Sequence, residues 1–260
     1  MSFTVVIPAR YASTRLPGKM LLSLAGKPVI QHVYERACQS GAEQVIIATD
    51  HEDIVDAVQK FSGNVVLTSA SHQSGTERIA EVVEQLGFEN EKTIVNVQGD
   101  EPLIEPAIIK SVAANLAANR QASIATVATP VTQSADFFNP NVVKVVLDSE
   151  SCALYFSRAP IPWPRDPYMG KPFAELVNGE FPQLVVPVYR HVGLYAYSAG
   201  FVKTYVGLPP SPLEKTEALE QLRALSSGYR ISVHVTDESI GIGIDTREDY
   251  DRVKEIVERC

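Results

Sequence analysis

Cysteine is scarce in this chain of 260 residues. Cys38, Cys152 and Cys260 are three in number, and no two of them form a C-x-x-C pair. An odd number of cysteines without metal-ligand spacing indicates neither a disulfide framework nor a zinc site. Cys38 falls at apolar positions of a predicted helix, which is typical of a core residue. We therefore expect a protein of the reducing cytoplasm.

Positive charge and long apolar runs are also limited. The chain has 23 Lys and Arg against 31 Asp and Glu, for a formal net charge of −8. This balance argues against a nucleic-acid-binding protein, which usually carries an excess of basic residues. No apolar run approaches the roughly 18 residues that cross a bilayer, and nothing resembles a signal peptide. An acidic protein that binds an anionic ligand must concentrate its positive charge locally or recruit a metal ion.

Short apolar segments alternate with amphipathic ones along the first half of the chain. Strands are predicted at 3–7, 45–49, 65–68, 93–97 and 124–130, and helices at 29–38, 53–61, 75–86 and 106–119. Apolar strands joined by helices of about ten residues are typical of βαβ units and of a mostly parallel sheet buried on both faces. The predicted fold class is α/β, with a doubly wound, Rossmann-like sheet.

The pattern changes in the second half. Strands are predicted at 142–147, 153–156, 189–197 and 231–235, with a turn at 148–151, and helices at 213–225 and 247–258. Seven prolines fall between 158 and 187, so this segment cannot form a regular helix or a central strand. We expect a single domain over 1–260 with an irregular arm inserted at about 158–188. An arm of this length usually acts as a lid or in assembly.

Three cations follow the first predicted strand. Arg10, Arg15 and Lys19 lie on a loop of small and turn-forming residues, at the strand end where parallel sheets bind ligands. This clustering indicates a seat for a polyphosphate, and the alternative is a solvated basic loop. The loop is not a Walker A motif, because Met20 follows Lys19 where Ser or Thr is required. It is not a dinucleotide fingerprint either, since no G-x-G-x-x-G follows the strand.

Two carboxylates are predicted to lie at strand ends. Asp100 follows the strand at 93–97, and Asp245 follows the apolar segment ending at 244. Mg²⁺ prefers one or two protein carboxylates and completes its shell with phosphate oxygens and water. The alternative is structural: Asp100 shapes a turn before Pro102, and Asp245 with Glu248 forms the N-cap and capping box of the last helix. The capping and metal roles of Asp245 are compatible.

A third loop opens the helix predicted at 75–86. Ser74, Gly75 and Thr76 are small enough for backbone N–H groups to approach a ligand, and Arg78 adds a cation one turn later. The alternative is that Ser74 caps the helix with Glu77 at its third position, while Arg78 pairs with a neighbouring acid.

Polar residues of the second half flank the proline-rich segment. Arg158 and His191 could present hydrogen-bond donors to an acidic sugar, although a histidine on a strand is often a core residue. Glu214, Glu217 and Gln221 are spaced to share one helical face, which could bind a polyol or simply face solvent.

No Ser/His/Asp arrangement and no nucleophilic cysteine is identifiable in the sequence. The chemistry indicated is therefore metal-assisted group transfer without a covalent intermediate, in which positioning and charge neutralisation are the main contributions.

These segments together resemble one family, the 3-deoxy-manno-octulosonate cytidylyltransferases, also called CMP-Kdo synthetases. The matching segments are IPARYASTRLPGK at 7–19, ATDHEDI at 48–54, SGTERIAE at 74–81, VNVQGDEPLI at 95–104, YFSRAPIPW at 155–163, RHVGLYAY at 190–197 and SPLEKTEALEQLRAL at 211–225. The last three distinguish this family from the sialic acid and isoprenoid cytidylyltransferases, which share the nucleotide half. Two departures are Met20, where the family usually has proline, and GIGIDTRED at 241–249, where it reads closer to G-V-D-T-x-E-D.

The resemblance implies a nucleotidyltransferase fold and a Mg²⁺-dependent reaction of CTP with 3-deoxy-D-manno-octulosonate (Kdo). The products would be CMP-Kdo, for lipopolysaccharide synthesis, and diphosphate. It also implies a cytoplasmic homodimer built through the proline-rich arm, with no nucleic-acid partner. Alternatives are activation of 8-amino-Kdo or another acidic sugar, and a non-catalytic protein that binds a sugar nucleotide. A glycosyltransferase of the D-x-D type is disfavoured, because Gln98-Gly99-Asp100 offers one Asp where that motif has two.

The resemblance also implies roles for individual residues. The catalytic residues would be Lys19, Asp100 and Asp245, of which Asp100 and Asp245 would hold Mg²⁺. The nucleotide-binding residues would be Ala9, Arg10, Ser13, Arg15, Lys19, Asp50, Ser74, Gly75, Thr76 and Arg78. The Kdo-binding residues would be Arg78, Gln98, Arg158, Tyr189, His191, Glu214 and Gln221.

Overall fold

The computed structural model describes residues 2–13, 15–238 and 240–259, and Cys260 lies outside them. The chain divides into two compact units. The first comprises Met1–Ala118, Leu194–Gly207 and Ser239–Cys260, and the second comprises Asn119–Gly193 and Leu208–Glu238. That the whole chain behaves as a single domain stays a prediction.

The elements are numbered in chain order. The strands are β1 (Phe3–Ala9), β2 (Ser23–Leu24), β3 (Lys27–Pro28), β4 (Gln44–Thr49), β5 (Val65–Leu67), β6 (Thr93–Asn96), β7 (Ile124–Pro130), β8 (Lys144–Leu147), β9 (Ala153–Ser157), β10 (Tyr189–Ser198) and β11 (Ile231–Val235). The helices are α1 (Val29–Gln39), α2 (Glu52–Lys60), α3 (Gly75–Gln85), α4 (Pro106–Ala118), α5 (Ser134–Phe138), α6 (Arg165–Tyr168), α7 (Phe173–Asn178), α8 (Ala199–Val206), α9 (Pro212–Glu217), α10 (Gln221–Ser226) and α11 (Arg247–Arg259).

The first unit is built on a mostly parallel sheet, as the sequence predicts. β1 pairs in parallel with β4 on one side and β6 on the other, and β5 continues the parallel set beyond β4. The second half of β10 runs antiparallel to β6. Every residue of β1 is buried, which explains its unbroken apolar run. Helix α1 packs with α4, and α3 packs with α8, so separate helix pairs cover the parallel strands.

The second unit combines parallel and antiparallel pairing. β7 and β11 are parallel neighbours, whereas β8 and β9 form the predicted antiparallel pair, with the first half of β10 added to β8. The aromatic side chains of Phe137 and Tyr168 are buried in an apolar cluster with Val131, Leu176 and Val188. This cluster joins the segment before α6 to the short helices of the arm.

The prediction of one helix over 213–225 is wrong. Helix α9 ends at Glu217, Ala218 adopts left-handed angles of φ 50° and ψ 50°, and α10 begins at Gln221. The guanidinium of Arg158 donates to the carbonyl oxygens of Glu217 at 2.7 Å and Ala218 at 3.4 Å. These carbonyls would otherwise accept bonds from the next helical turn, so Glu214, Glu217 and Gln221 do not share one continuous helical face.

Three further expectations need correction. The proline-rich arm is not wholly irregular, because it holds α6 and α7, whose N-caps are Pro164 and Pro172. Proline is tolerated there because the first helical N–H groups have no partner within the helix. The segment from Ile240 to Ile244 forms no strand and runs as an extended loop. Cys38 is exposed on α1, where Ala37 takes the adjoining buried position.

No helix in the described part of the chain is both long enough and apolar enough to cross a membrane.

Candidate active site

A tight turn directs Lys19 into the first unit. Gly18 has φ 66° and ψ 18°, left-handed angles that favour glycine, and a single turn of 3-10 helix follows over Lys19–Leu21. Met20 is buried beside it, so the turn is anchored by an apolar side chain. The Lys19 side chain is consequently only 10% exposed, although the sequence places it on a basic loop.

The ammonium group of Lys19 brings the two predicted carboxylates together. Its Nζ lies 2.5 Å from Oδ2 of Asp100 and 3.2 Å from Oδ1 of Asp245, and it donates to the carbonyl oxygen of Ile244 at 3.0 Å. Asp100 and Asp245 lie in separate loops far apart in sequence. The structure therefore brings both carboxylates into direct contact with the predicted basic loop, while their role in metal binding stays a prediction.

The donor set around Lys19 fits a hard divalent cation. Carboxylate oxygens are the ligands that Mg²⁺ prefers, and Asp100 and Asp245 converge on one positive charge. Within the described ranges, no protein donor reaches the second oxygen of either carboxylate. The same residues contain no group of three or more His, Cys, Asp or Glu arranged to hold a metal ion. A bound Mg²⁺ would therefore take its other ligands from phosphate oxygens and water.

The structural alternative for Asp245, in which it caps the last helix, is wrong. The backbone N–H of Asp249 donates to Oγ1 of Thr246 at 3.2 Å, and the Asp249 carboxylate accepts from the backbone N–H of Thr246 at 2.9 Å. The capping box therefore lies one residue later than the sequence suggested. Burial opposes ionisation of Asp249, but hydrogen bonds from Thr246 lower its pKa overall. The side chain of Asp245 instead forms ion pairs with Lys19 and Arg15.

Close backbone contact fixes the loop that carries Asp245. The N–H of Ile244 donates to the carbonyl oxygen of Asp100 at 2.8 Å. A Cβ on Gly241 would lie 2.6 Å from the carbonyl carbon of Leu103 and 2.7 Å from its Cβ, so the loop approaches Leu103 as only glycine allows. A Cβ on Gly243 would meet nothing closer than 3.6 Å, from Glu101. The two glycines of this loop therefore differ in their tolerance of a side chain.

Alanine substitutions at Gly241 and Gly243 therefore form a matched pair of variants. We expect Gly241→Ala to lower kcat by about tenfold or more, because the methyl group forces the loop off Leu103 and displaces Asp245. Gly243→Ala is the control and should stay within about twofold of wild type, since its contacts are of ordinary van der Waals length. Steady-state kinetics on both variants test the expectation. Equal activities would show that the approach to Leu103 does not position Asp245.

Arg15, another of the predicted phosphate-binding cations, contacts this centre. Arg15 is 65% exposed, and one of its terminal nitrogens lies 3.1 Å from Oδ1 of Asp245. The hydroxyl of Ser13 accepts a weak hydrogen bond from the N–H of Leu16 at 3.4 Å, which shapes the loop. Ala9 ends β1 and is buried. Nucleotide binding by these residues remains a prediction.

Arg78 is fully buried and forms an ion pair. Its guanidinium lies 2.9 Å from Oδ2 of Asp50 and 2.5 Å from Oγ1 of Thr68. Burial lowers the pKa of Arg78, Asp50 opposes this, and the positive charge of Arg10 adds to it. The other Asp50 oxygen accepts the N–H of Tyr11 at 3.1 Å. The expectation that Arg78 pairs with a neighbouring acid is confirmed, whereas its contact with substrate remains a prediction.

The loop before α3 is capped as the structural alternative expected. The N–H of Glu77 donates to Oγ of Ser74 at 3.1 Å, while a Cβ on Gly75 would lie 3.5 Å from Cγ of Pro8 in β1. Thr76 is buried in the first turn. This capping bond does not test the predicted nucleotide contact, which stays a prediction.

Sequence reasoning missed an aromatic contact between two of these loops. The rings of Tyr11 and His51 stack with centroids 3.7 Å apart and planes 12° apart. Nδ1 of His51 also accepts the N–H of Asp53 and so caps α2. Both residues lie in loops that follow predicted strands, a signal that could have identified them. Their stacking ties the basic loop to the loop that carries Asp50.

In the second unit, Arg158 is bound to protein groups. Besides the two carbonyls at the end of α9, it donates to the carbonyl oxygen of Pro140 at 3.0 Å. Its own N–H donates to Oε2 of Glu217 at 2.9 Å, and the hydroxyl of Ser157 donates to Oε1 at 2.6 Å. Burial opposes ionisation of Glu217, but these hydrogen bonds lower its pKa overall. Kdo binding by Arg158 stays a prediction.

A buried lysine that the sequence reasoning missed stabilises this network. Nζ of Lys144 donates to the carbonyl oxygens of Val142 at 2.5 Å, Arg158 at 2.8 Å and Asn139 at 2.9 Å. Burial lowers the pKa of Lys144 to about 8, although Glu217 opposes the shift. Three acceptors match the three hydrogens of an ammonium group, so the charged form, which a pKa of about 8 still favours at neutral pH, is fully hydrogen-bonded. The sequence signal that could have identified this residue is a lysine within the apolar strand predicted at 142–147.

The remaining predicted Kdo residues differ in how they are bonded. Glu214 accepts two bonds from Arg223, at 2.9 Å and 2.6 Å, and closes a capping box with Ser211. Gln221 is buried, and its Nε2 finds no acceptor within the described chain. Tyr189 begins β10 opposite Val145. Gln98 lies in the turn after β6 in the first unit.

The stability of the folded protein is expected to depend on pH through His191. Its Nε2 lies 3.0 Å from Oγ1 of Thr126, and burial lowers its pKa from 6.5 to about 3. Below pH 6.5, His191 is protonated in the unfolded chain but stays neutral in the folded chain. The free energy of unfolding therefore falls as the pH drops toward 3. The slope is at most about 1.4 kcal/mol per pH unit. His191→Gln, which binds no proton, should flatten that part of the profile.

The measurement is urea unfolding of wild type and variant between pH 4 and pH 8. The difference in unfolding free energy should change steadily below about pH 6.5 and be constant above it. Parallel curves at every pH would show that His191 does not carry this dependence.

Comparison with known proteins gives consistent matches over the whole chain. A family model described as cytidylyltransferase matches residues 4–235. The 3-deoxy-manno-octulosonate cytidylyltransferase of Yersinia enterocolitica serotype O:8 / biotype 1B is 54% identical over 257 residues, covering 99% of each chain. The protein of the same name from Pasteurella multocida (strain Pm70) is 52% identical over 260 residues, again covering 99% of each.

A solved structure matches as well. A CMP:2-keto-3-deoxy-manno-octonic acid synthetase complexed with CTP has a TM-score of 0.87 to this chain at 38% identity, covering 99% of this chain and 98% of that one.

Proposed function

This chain belongs to the cytidylyltransferase family, and we propose that it activates Kdo by transferring the cytidylyl group of CTP, with release of diphosphate. The observation that carries the proposal is the convergence of Asp100 and Asp245 on the Lys19 ammonium, at the end of β1. The similarity to 3-deoxy-manno-octulosonate cytidylyltransferases over 99% of their length supports Kdo as the substrate. The product serves lipopolysaccharide synthesis in the cytoplasm.

The proposed chemistry is an in-line displacement. The anomeric oxygen at C2 of Kdo bonds to the α-phosphorus of CTP as the bond from that phosphorus to the α,β-bridging oxygen breaks. Diphosphate leaves with the bridging oxygen, and the proton of the hydroxyl passes to water. Arg10, Arg15 and Lys19 neutralise the triphosphate, since they lie on the loop after β1. Asp100 and Asp245 would hold Mg²⁺, which would supply charge neutralisation to the phosphates. Charge neutralisation and positioning carry the rate, because the candidate residues include no nucleophile.

Binding of the two substrates is assigned by family resemblance. Ala9, Ser13, Asp50, Ser74, Gly75 and Thr76 are proposed to line the cytidine site. Gln98, Arg158, Tyr189, His191, Glu214 and Gln221 are proposed to orient Kdo, together with Arg78. The buried amide of Gln221, whose Nε2 has no acceptor among the described residues, supports a polar ligand there. Homodimerisation through the arm is supported by its exposed Trp163, Met169 and Phe173.

Competition between sugars tests the substrate assignment. The protein is incubated with CTP, Mg²⁺ and equal concentrations of Kdo, 8-amino-Kdo and sialic acid, and the CMP-sugars are separated and identified by mass. We expect CMP-Kdo to dominate, because a site that hydrogen-bonds one substrate group discriminates strongly against its replacement. Preferential formation of the amino-sugar or sialic acid product would replace Kdo in the proposal.

A further inference from the structure

The Lys19 ammonium uses all of its hydrogens within the protein. An ammonium group has three donors and no acceptor. Here the three point to Asp100 at 2.5 Å, to the carbonyl oxygen of Ile244 at 3.0 Å and to Asp245 at 3.2 Å. None is left for a phosphate oxygen. Neutralising a triphosphate therefore requires Lys19 to give up at least one of these contacts.

The position of the ammonium has a second consequence. It lies between the two carboxylates that are proposed to hold Mg²⁺, and it supplies the positive charge that a divalent cation would supply. Two positive charges at one such position repel each other strongly, because the Lys19 side chain is only 10% exposed and is weakly screened. Lys19 and a divalent cation therefore compete for the same pair of carboxylates.

We propose that Lys19 is a displaceable counter-ion, which neutralises Asp100 and Asp245 in the free protein and moves to the triphosphate when nucleotide and metal ion bind. The proposal rests on the proposed function, since it takes these two carboxylates as the metal ligands. It deepens that function by adding an order: the free protein binds the divalent cation weakly, and nucleotide strengthens that binding by drawing Lys19 away. By linkage, the metal ion strengthens nucleotide binding by the same factor.

The surroundings of Lys19 permit this exchange. Asp245 is 49% exposed, so a hydrated cation can reach its carboxylate without opening of the core. Arg15 already contacts the same Asp245 oxygen from the solvent side at 3.1 Å and can retain it when Lys19 leaves. The lysine stem is flexible, and its charge is a compact point that can be moved between neighbouring anions.

The test measures metal binding without nucleotide or sugar. Mn²⁺ is titrated into wild type, Lys19→Met and Lys27→Met, with free Mn²⁺ followed by electron paramagnetic resonance. Lys27→Met is the matched control, because it also removes one lysine charge, from an ion pair with Glu35 on the surface. We expect Lys19→Met to bind Mn²⁺ about tenfold more tightly than wild type, and Lys27→Met to bind as wild type does.

Two further measurements test whether the gain in Mn²⁺ affinity arises at this site. Adding Asp245→Asn to Lys19→Met should abolish the tenfold gain, which assigns it to this site. Mn²⁺ should also raise the Tm of Lys19→Met more than that of wild type, because an ion that binds only the folded state stabilises it more when its affinity is higher. Should Lys19→Met not fold without metal, Lys19→Gln is measured in its place.

The outcomes are decisive. Mn²⁺ affinities of wild type and Lys19→Met within about twofold would overturn the proposal. An equal gain in Lys27→Met would do the same, as would failure of both Lys19 variants to fold in excess Mn²⁺. Because no step involves turnover, a negative result here leaves the cytidylyltransferase proposal standing. Absence of cytidylyl transfer, conversely, leaves the binding result intact.

Discussion

Replacing Asp245 with asparagine is expected to lower kcat by about 10²- to 10³-fold, equivalent to roughly 3–4 kcal/mol of transition-state stabilisation. The substitution removes one of two anionic ligands proposed for Mg²⁺ while keeping the size of the side chain. An amide oxygen can still accept the bond from Lys19, so the folded structure should be nearly unaffected. The measurement is kcat at saturating CTP, Kdo and Mg²⁺, together with Tm. Asp100→Asn should behave in the same way.

The capping box four residues later provides the control. Asp249→Asn weakens the hydrogen bonds that start α11 and should cost about 1 kcal/mol of stability, with kcat close to wild type. The two neighbouring substitutions should therefore show opposite patterns, one losing activity and the other losing stability. Near wild-type turnover in Asp245→Asn would return that residue to a purely structural role.

The largest expected effect on stability comes from Arg78. Arg78→Met leaves Asp50 without its guanidinium partner at a site where the arginine side chain is 0% and the aspartate 14% exposed. Removing one member of a buried ion pair typically costs about 3–5 kcal/mol, because the other charge stays buried without compensation. We expect a loss of that size in the free energy of unfolding, measured by urea denaturation.

An exposed ion pair serves as the comparison. Arg247 and Asp251 are paired at 3.1 Å on α11, but their side chains are 67% and 56% exposed. Arg247→Met should change stability by less than about 1 kcal/mol. A double-mutant cycle of Arg78→Met with Asp50→Asn then isolates the coupling energy of the buried pair. A loss below about 1 kcal/mol for Arg78→Met would show that Asp50 is adequately solvated without it.

The strands of the first unit could be predicted from the sequence because their signal is local. β1 and β4 are continuous apolar runs, and burial on both faces is the physical reason for such runs. Helices α1 and α3 of this unit each bury an apolar stripe, and α3 also begins with the side-chain cap of Ser74. Both signals lie within a few residues, so the predicted bounds are close to those observed.

The break between α9 and α10 could not be predicted in that way. Its cause is Arg158, which lies 59 residues before Glu217 and binds the carbonyl oxygen of that residue. The apolar spacing of 213–225 is compatible with one helix, and only the fold brings the guanidinium to that point. The cap of α11 was misplaced for a smaller reason, since Asp245 and Thr246 are both good cap residues and the loop geometry selects Thr246.

The candidate site was accessible to sequence reasoning only in part. The predicted strands placed Lys19 and Asp100 near the ligand edge of a parallel sheet, whereas Asp245 was placed there by a predicted strand that the structure does not contain. Strand order could not show that the Lys19 ammonium lies between the two carboxylates, because that depends on the left-handed turn at Gly18. Nor could it show that Gly241 contacts Leu103, which requires the packing of two loops distant in sequence.

Transfer of a cytidylyl group from CTP to Kdo releases one diphosphate per turnover, so diphosphate release measures the proposed reaction itself. Diphosphate is measured continuously with CTP and Mg²⁺, in the presence and absence of Kdo, for wild type and Asp100→Asn. We expect diphosphate release that depends on Kdo, equals CMP-Kdo formation mole for mole, and falls at least about a hundredfold in the variant. Diphosphate release that is absent, or that proceeds equally without the sugar, would contradict the proposed reaction.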